Sequence, residues 1–186
     1  MPDSENLDAR AVANAILQMA WERGINDVSN LKLQKLLFLC HGLFLFKTGG
    51  GNLINGSFEA WQYGPVHRGA YDAFKACGDQ PITELAQRLN PVTRERTPIA
   101  MPDMAVQHII YDIVTNYGNW SAARLVGLTH TKGGPWDHVV TQASNNANMA
   151  LRIGNDVIRE RFKNLWFGKQ PPTQGEIPDE EKILIA

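Results

Sequence analysis

The residue types that do chemistry are thinly spread along this chain. Its five histidines, His41, His67, His108, His130 and His138, form no HxxxH pair and join no cysteine at zinc-site spacing. A metal site would have to be assembled from distant parts of the chain. Cys40-His41 has the look of a thiol with its base. On a helix, however, adjacent residues point about 100° apart and do not face each other. Cys40 also lies among leucines and phenylalanines, where burial raises a thiol pKa and makes it inert. Thr48-Gly49-Gly50-Gly51-Asn52 could suggest a phosphate cradle, but it follows a helix, precedes a strand, and lacks the GK[ST] that a P-loop requires. There is no GxSxG and no carboxylate pair in an apolar setting. The enzymatic reading that survives is a deep pocket uniting two or more of Cys40, His130 and Glu59. No catalytic residue, metal ligand or cofactor-binding residue is assigned, and no cofactor is expected.

Two features point instead to binding. Lys32 and Lys35 stand in the first turns of a helix, where a cation opposes the macrodipole by a few tenths of a kcal/mol. They read either as a solvated face or as a small basic patch for an acidic partner. Aromatic and proline landmarks cluster in Trp61-Gln62-Tyr63-Gly64-Pro65-Val66 and in Thr129-His130 through Pro135-Trp136. Tryptophan and tyrosine are favoured as interface anchors and also in cores, and taken singly Trp61 and Trp136 read first as core residues. His130 is expected to be a hydrogen-bonded framework residue between short helices. The candidate partner-binding residues are Lys32, Lys35, Trp61, Tyr63, His67 and Arg68.

Composition bounds the rest. The 186 residues carry 18 Lys+Arg against 19 Asp+Glu, a formal net charge of -1. That balance argues against gripping nucleic acid through counterion release. The hydrophobic share of 44% and charged share of 20% are those of a globular chain. The longest apolar run, Leu36 to Phe46, falls well short of the ~20 residues that span a bilayer. Met1 to Asn6 is acidic and polar, without the basic start of a secretory signal. Cys40 and Cys77 make no disulfide framework. The expectation is a cytoplasmic protein with reduced thiols and no membrane partner.

The elements that must position these residues follow from periodicity and punctuation. Leu7 to Arg23 is predicted helical, with Val12, Ile16, Met19 and Ala20 on one face, Asp8 or Asn6 as cap and Gly24 after its last turn. Ser29 or Asn30 caps a second helix to about Thr48, apolar nearly all round and so expected at the centre. Gly42 inside it costs about 1 kcal/mol relative to Ala, which predicts a close neighbour there. Leu53-Ile54 and Ser57 to Gln62 flank Asn55-Gly56, a hairpin signal. Pro65 is expected to open a third helix, Val66 to about Ala76. Residues 78 to 103 are broken by prolines, with one or two helical turns expected over Thr83 to Leu89. Asp103 caps a helix to Tyr117, Ser121 caps Ala122 to Thr129, and Gly133-Gly134-Pro135 opens another through Gln142. A brief extended piece is expected at Met149 to Ile153, then a last helix, Val157 to Trp166, capped by Asn155 or Asp156. Lys169 to Ala186, with three prolines and Asp179-Glu180-Glu181, reads as a disordered acidic tail. The expectation is therefore one mainly α domain, residues 1–168, with a buried central helix, shorter helices around it and a small β-hairpin.

Three blocks together carry a family likeness: Leu31-Lys32-Leu33-Gln34-Lys35-Leu36-Leu37-Phe38; Phe58-Glu59-Ala60-Trp61-Gln62-Tyr63-Gly64-Pro65-Val66 with Tyr71; and Ser121-Ala122-Ala123-Arg124-Leu125-Val126-Gly127-Leu128-Thr129-His130 with Pro135-Trp136. Over about residues 8 to 166 the chain resembles the Panacea domain, long described from phage-associated proteins of unknown function. The resemblance implies an antitoxin of a toxin–antitoxin pair that binds and neutralises a cognate toxin protein encoded beside it. One branch implies an alternative, a proteolytic adaptor that delivers its toxin to an ATP-dependent protease. Partners in the family are diverse, so no interface is carried over by motif. No appended DNA-binding module is recognisable, so transcriptional autoregulation is not supported. The expected mechanism is occlusion of the toxin by a surface built from the hairpin, the Gly64-Pro65 turn and the third helix. The acidic tail, with Ile183-Leu184-Ile185-Ala186 at its end, resembles a short recognition strand for a partner or protease.

Overall fold

A helix with leucine or phenylalanine on every face has no side to offer water, and the second helix is placed accordingly. The computed structural model describes residues 6–144 and 151–166. Helix α1 is Ala9–Glu22 and α2 is Asn30–Thr48. Ser29 caps α2, its side chain accepting from the Lys32 N–H, and Gly49 ends it at φ 70°. From Lys32 to Leu45 every α2 residue is buried. The helix packs against α1, against α4 (Met104–Tyr117) and α5 (Ala122–Thr129), and against α7 (Asn155–Arg161). Gly42 has the close neighbour its position predicted: a methyl there would overlap the ring of Phe162. Asp8, Asp103 and Ser121 cap α1, α4 and α5 as expected. Among the described residues no helix is long and apolar enough to cross a membrane.

The small sheet differs in detail from expectation. Strands β1 (Phe58–Trp61) and β2 (Gly64–His67) form an antiparallel hairpin closed at Gln62-Tyr63, not at Asn55-Gly56. Leu53–Asn55 is captured instead by the entry to α1. The Leu7 N–H donates to the Leu53 carbonyl and the Asn55 N–H to that of Leu7, both at 2.9 Å. Gly56 turns at φ 81°, and the chain then leads into β1 rather than back along itself. Pro65 lies inside β2, an edge strand where a missing N–H is tolerated. The third helix therefore starts later than expected, as α3 (Arg68–Phe74), capped by His67 and followed by a 3-10 turn, Lys75–Cys77. On the other side β1 pairs with β5 (Arg152–Ile153), Glu59 facing Arg152. Residues 149 and 150 of the expected extended piece lie outside the described residues.

Residues 83–89 are not helical. Asn14 of α1 holds the backbone of Ala86 from both sides, donating to its carbonyl at 2.9 Å and accepting from its N–H at 2.8 Å. The chain runs on as β3 (Gln87–Leu89), turns where the Asn90 side chain accepts from Val92 N–H, and returns as β4 (Arg96–Pro98). Helix α6 spans Pro135–Ser144. The last predicted helix is split at Phe162 into α7 and α8 (Lys163–Trp166), and its cap is Gly154, not Asn155 or Asp156. Asn155 is drawn inward instead, its amide oxygen meeting His41 Nε2 at 2.9 Å and its nitrogen donating to Asn52. The expected acidic tail, 169–186, lies outside the described residues.

Candidate partner-binding face

The hairpin is fastened to α2 by polar side chains that the helix turns inward. Asn30 Nδ2 donates to the Tyr71 carbonyl of α3 at 3.1 Å. Gln34, one turn on, donates to Asn30 Oδ1 and accepts from the His67 N–H at 2.9 Å. Lys35 Nζ donates to the Pro65 carbonyl at 2.9 Å. Each bond gives a buried polar group its partner and sets the height of β2 and α3 above the helix.

Lys32 and Lys35 are therefore neither a solvated face nor a basic patch. They are 1% and 0% exposed. Lys32 Nζ reaches Asp27 at 2.7 Å. Lys35 forms no ion pair among the described residues, and burial pulls its pKa down to about 7. The reason for both placements is α2 itself: its first turns pack beneath β2 and α3, and from Asn30 to Leu45 only Leu31 is not buried. His67 is also inside, as a brace. Its Nε2–H donates to the Asn55 carbonyl at 2.8 Å and Nδ1 accepts from the Ala70 N–H. Those two bonds require the neutral Nε2–H tautomer.

Trp61, Tyr63 and Arg68 remain on the surface side. Trp61 is half-buried; its indole N–H donates to Glu59 at 2.7 Å, and its ring meets Tyr71 edge-on at 5.0 Å. The Arg68 guanidinium lies 5.2 Å over the Trp61 ring and reaches Glu59 through long bonds of 3.3 and 3.4 Å. Glu59 is thus held below the usual carboxylate range, first by the Trp61 indole and then by Arg68, with Arg152 adding to it. Between these residues and the first turn of α2 lies a groove of about 310 Å³, walled by Leu31, Ala60, Trp61, Tyr63, Val66 and Tyr71. Cys40, His130 and Glu59 are absent from its lining.

Beneath the hairpin turn, Trp136 Nε1 donates to the Trp61 carbonyl at 2.8 Å. His130 stacks flat on Trp136, centroids 3.7 Å apart, while its Nε2 has no hydrogen-bond partner among the described residues. The expected hydrogen-bonded framework histidine is in fact a stacked one. Burial, and then the Lys35 charge, pushes its pKa down to about 4. Cys40 is fully buried, and burial drives its thiol pKa well up. Among the described residues no group of three or more His, Cys, Asp or Glu could hold a metal ion.

Sequence reasoning missed Asn30, Gln34 and Tyr71. The signal for the first two was present: polar residues one turn apart in an otherwise apolar helix have to face a polar neighbour.

Comparison with known proteins adds the family. The family model described as "Antitoxin SocA-like, Panacea domain" matches residues 33–137, from α2 into α6. Antitoxin SocA of Caulobacter vibrioides (strain NA1000 / CB15N) is 39% identical over 162 residues, 87% of this chain and 85% of that protein. No solved structure matches.

Proposed function

The chain belongs to the antitoxin SocA-like, Panacea-domain family, and from that premise we propose that it is the antitoxin of a toxin–antitoxin pair, neutralising a cognate toxin protein by covering its active surface. The contact face is the hairpin with Trp61, Tyr63 and Arg68, continued onto α3. The observation that carries this placement is the internal scaffold. Asn30, Gln34 and Lys35 pin an aromatic face to a rigid buried helix, so little ordering entropy is lost on docking. Lys35 and His67 act from beneath by holding the turn and the α3 cap, and Lys32 by anchoring the start of α2. A stable interface needs roughly 1,200–2,000 Å² of total buried area with a few aromatic or arginine anchors.

The test is co-expression with the adjoining reading frame. Growth arrest by that frame alone, relieved by this chain, is the expected result. Relief equal to wild type from a folded Trp61→Ala/Arg68→Glu variant would show that another face does the work.

A second reading rests on the tail sequence, Asp179-Glu180-Glu181 followed by Ile183-Leu184-Ile185, as a protease-recognition strand. On that reading the chain delivers its toxin to an ATP-dependent protease. Faster toxin loss in its presence, abolished by deleting residues 170–186, is its signature; steady toxin levels favour occlusion.

A further inference from the structure

The groove beside Trp61 has a chemistry that selects its occupant. Its volume of about 310 Å³ is at the small end for ligand sites, suited to one or two side chains. Its walls are mostly apolar and aromatic; of the three amide residues that line it, Gln62 is exposed at the hairpin turn, and the two buried ones are already bonded. Asn30 bonds Tyr71 and Gln34, and Gln34 bonds His67. What enters gains by leaving water, not by new hydrogen bonds in the floor.

The rim adds a sign. Glu59 is flanked by Arg68 on one side and, through the β1–β5 register, by Arg152 on the other. The same carboxylate already accepts from the Trp61 indole. Of the two guanidiniums Arg68 alone bonds this carboxylate among the described residues, its side chain 60% exposed and the contact no shorter than 3.3 Å, while Arg152 acts on Glu59 through its charge, without a hydrogen bond or ion pair. Each guanidinium carries five N–H donors in a fork that fits a carboxylate. Arg68 lies over the Trp61 wall and Arg152 follows Leu151, another lining residue, and with Asp72 already paired to Lys75 the two guanidiniums face the single Glu59 carboxylate, leaving one positive charge and several donors over beside an apolar slot.

Resting on the antitoxin reading, we propose that this groove receives a large aliphatic or aromatic side chain of the toxin, with an Asp or Glu beside it held by Arg68 and Arg152. A segment with Lys or Arg in that place is repelled. The rule is a chemical pattern rather than a fixed sequence, and it admits varied partners that share an acidic–apolar pair.

A random twelve-residue displayed peptide library, selected on the immobilised full chain, tests this. Wild type is expected to enrich, at least tenfold over input, peptides with Leu, Ile, Phe, Tyr or Trp within two positions of Asp or Glu. Arg68→Glu/Arg152→Glu should invert the preference towards Lys and Arg, and Arg68→Gln/Arg152→Gln should abolish it. Leu31→Trp, at the half-exposed edge of the groove, should cut enrichment at least tenfold. All variants are checked for an unchanged melting profile. No enrichment on wild type, no acidic bias, or a bias unmoved by these substitutions overturns the proposal. Two further outcomes also overturn it. Tenfold better peptide capture by Ile183→Asp/Leu184→Asp would assign the groove to this chain's own tail. A dimer dissolved by Leu31→Trp would assign it to a second copy.

Co-expression separates the two levels. Full neutralisation by the folded groove and rim variants removes the groove proposal and leaves the antitoxin reading standing. Failure of wild type to neutralise removes the antitoxin reading itself.

Discussion

Lys35 sits directly beneath Gly64: its Nζ donates to the Pro65 carbonyl at 2.9 Å, and a methyl on Gly64 would lie 3.2 Å from that nitrogen. An amine with no carboxylate partner among the described residues thus supports the turn that presents Trp61 and Tyr63. The sign of its effect on stability follows from burial. Its folded pKa is about 7 against an ordinary 10.5, so between those values the unfolded chain holds the proton and the folded chain does not. Stability should rise from pH 7 towards 10.5, with the full cost present below 7. At about 1.4 kcal/mol per pH unit, the gain from pH 7 to 9 is on the order of 2 kcal/mol. His41 and His130, each pushed down to about 4 from 6.5, act only below that window. Above pH 9 the buried Cys40 thiol, pushed up from its ordinary value, acts the other way, so urea denaturation at pH 7 and 9 should show the rise in wild type and its loss in Lys35→Met.

Gly64 has φ 97°, and a Cβ there would lie 2.6 Å from Thr129 Oγ1. Gly64→Ala should cost at least about 2 kcal/mol by chemical denaturation. Adding Thr129→Ala should return part of that loss, because it removes the clash but not the left-handed backbone. A single variant within about 0.5 kcal/mol of wild type, the range of an ordinary surface substitution, would contradict this turn.

Gly42 and Phe162 are matched in the same way. Alanine at 42 gains about 1 kcal/mol in helix propensity but meets the Phe162 ring, and overpacking costs about 1–3 kcal/mol. Gly42→Ala should therefore be destabilising in wild type and stabilising in a Phe162→Ala background. A double-mutant cycle reads the reversal directly.

Arg94, exposed at the β3–β4 turn, has φ 63°. A left-handed non-glycine residue costs about 1–2 kcal/mol, partly offset by the extra freedom glycine has when unfolded. Arg94→Gly should raise stability by about 0.5–1 kcal/mol, or roughly 1–4 °C in melting temperature for a chain of this length.

The two thiols should differ sharply. Cys40 is fully buried with its pKa driven up, whereas Cys77 is partly exposed. Iodoacetamide on the native protein should label Cys77 and leave Cys40 until denaturant is added. Native labelling of Cys40 would place an open path into the core beside α2.

Much of the architecture was legible because it is local. Asp8, Ser29, Asp103 and Ser121 each bond an N–H two or three residues away, so a cap and its helix are written in one stretch of chain. The apolar circumference of α2 forced it to the centre, and an expensive glycine at 42 implied a neighbour, which is Phe162. The Asn55-Gly56 signal misled because turn chemistry was outweighed by backbone pairing of Leu53–Asn55 with Leu7, a partner distant in sequence. The same holds for Ala86, drawn out of a helical turn by Asn14.

The sequence alone determined the longer helices, where most of them start, and that the longest must be enclosed, because capping and amphipathic period act over a turn or two. Only the tertiary structure decided that Lys32 and Lys35 face inward, that the hairpin closes at Gln62-Tyr63, and that Arg68 pairs with Glu59 opposite Arg152 in the sheet. Those facts depend on which remote segment supplies a hydrogen-bond partner or a wall, and an ammonium carries no mark in its own neighbourhood to say whether water or a carbonyl will receive it.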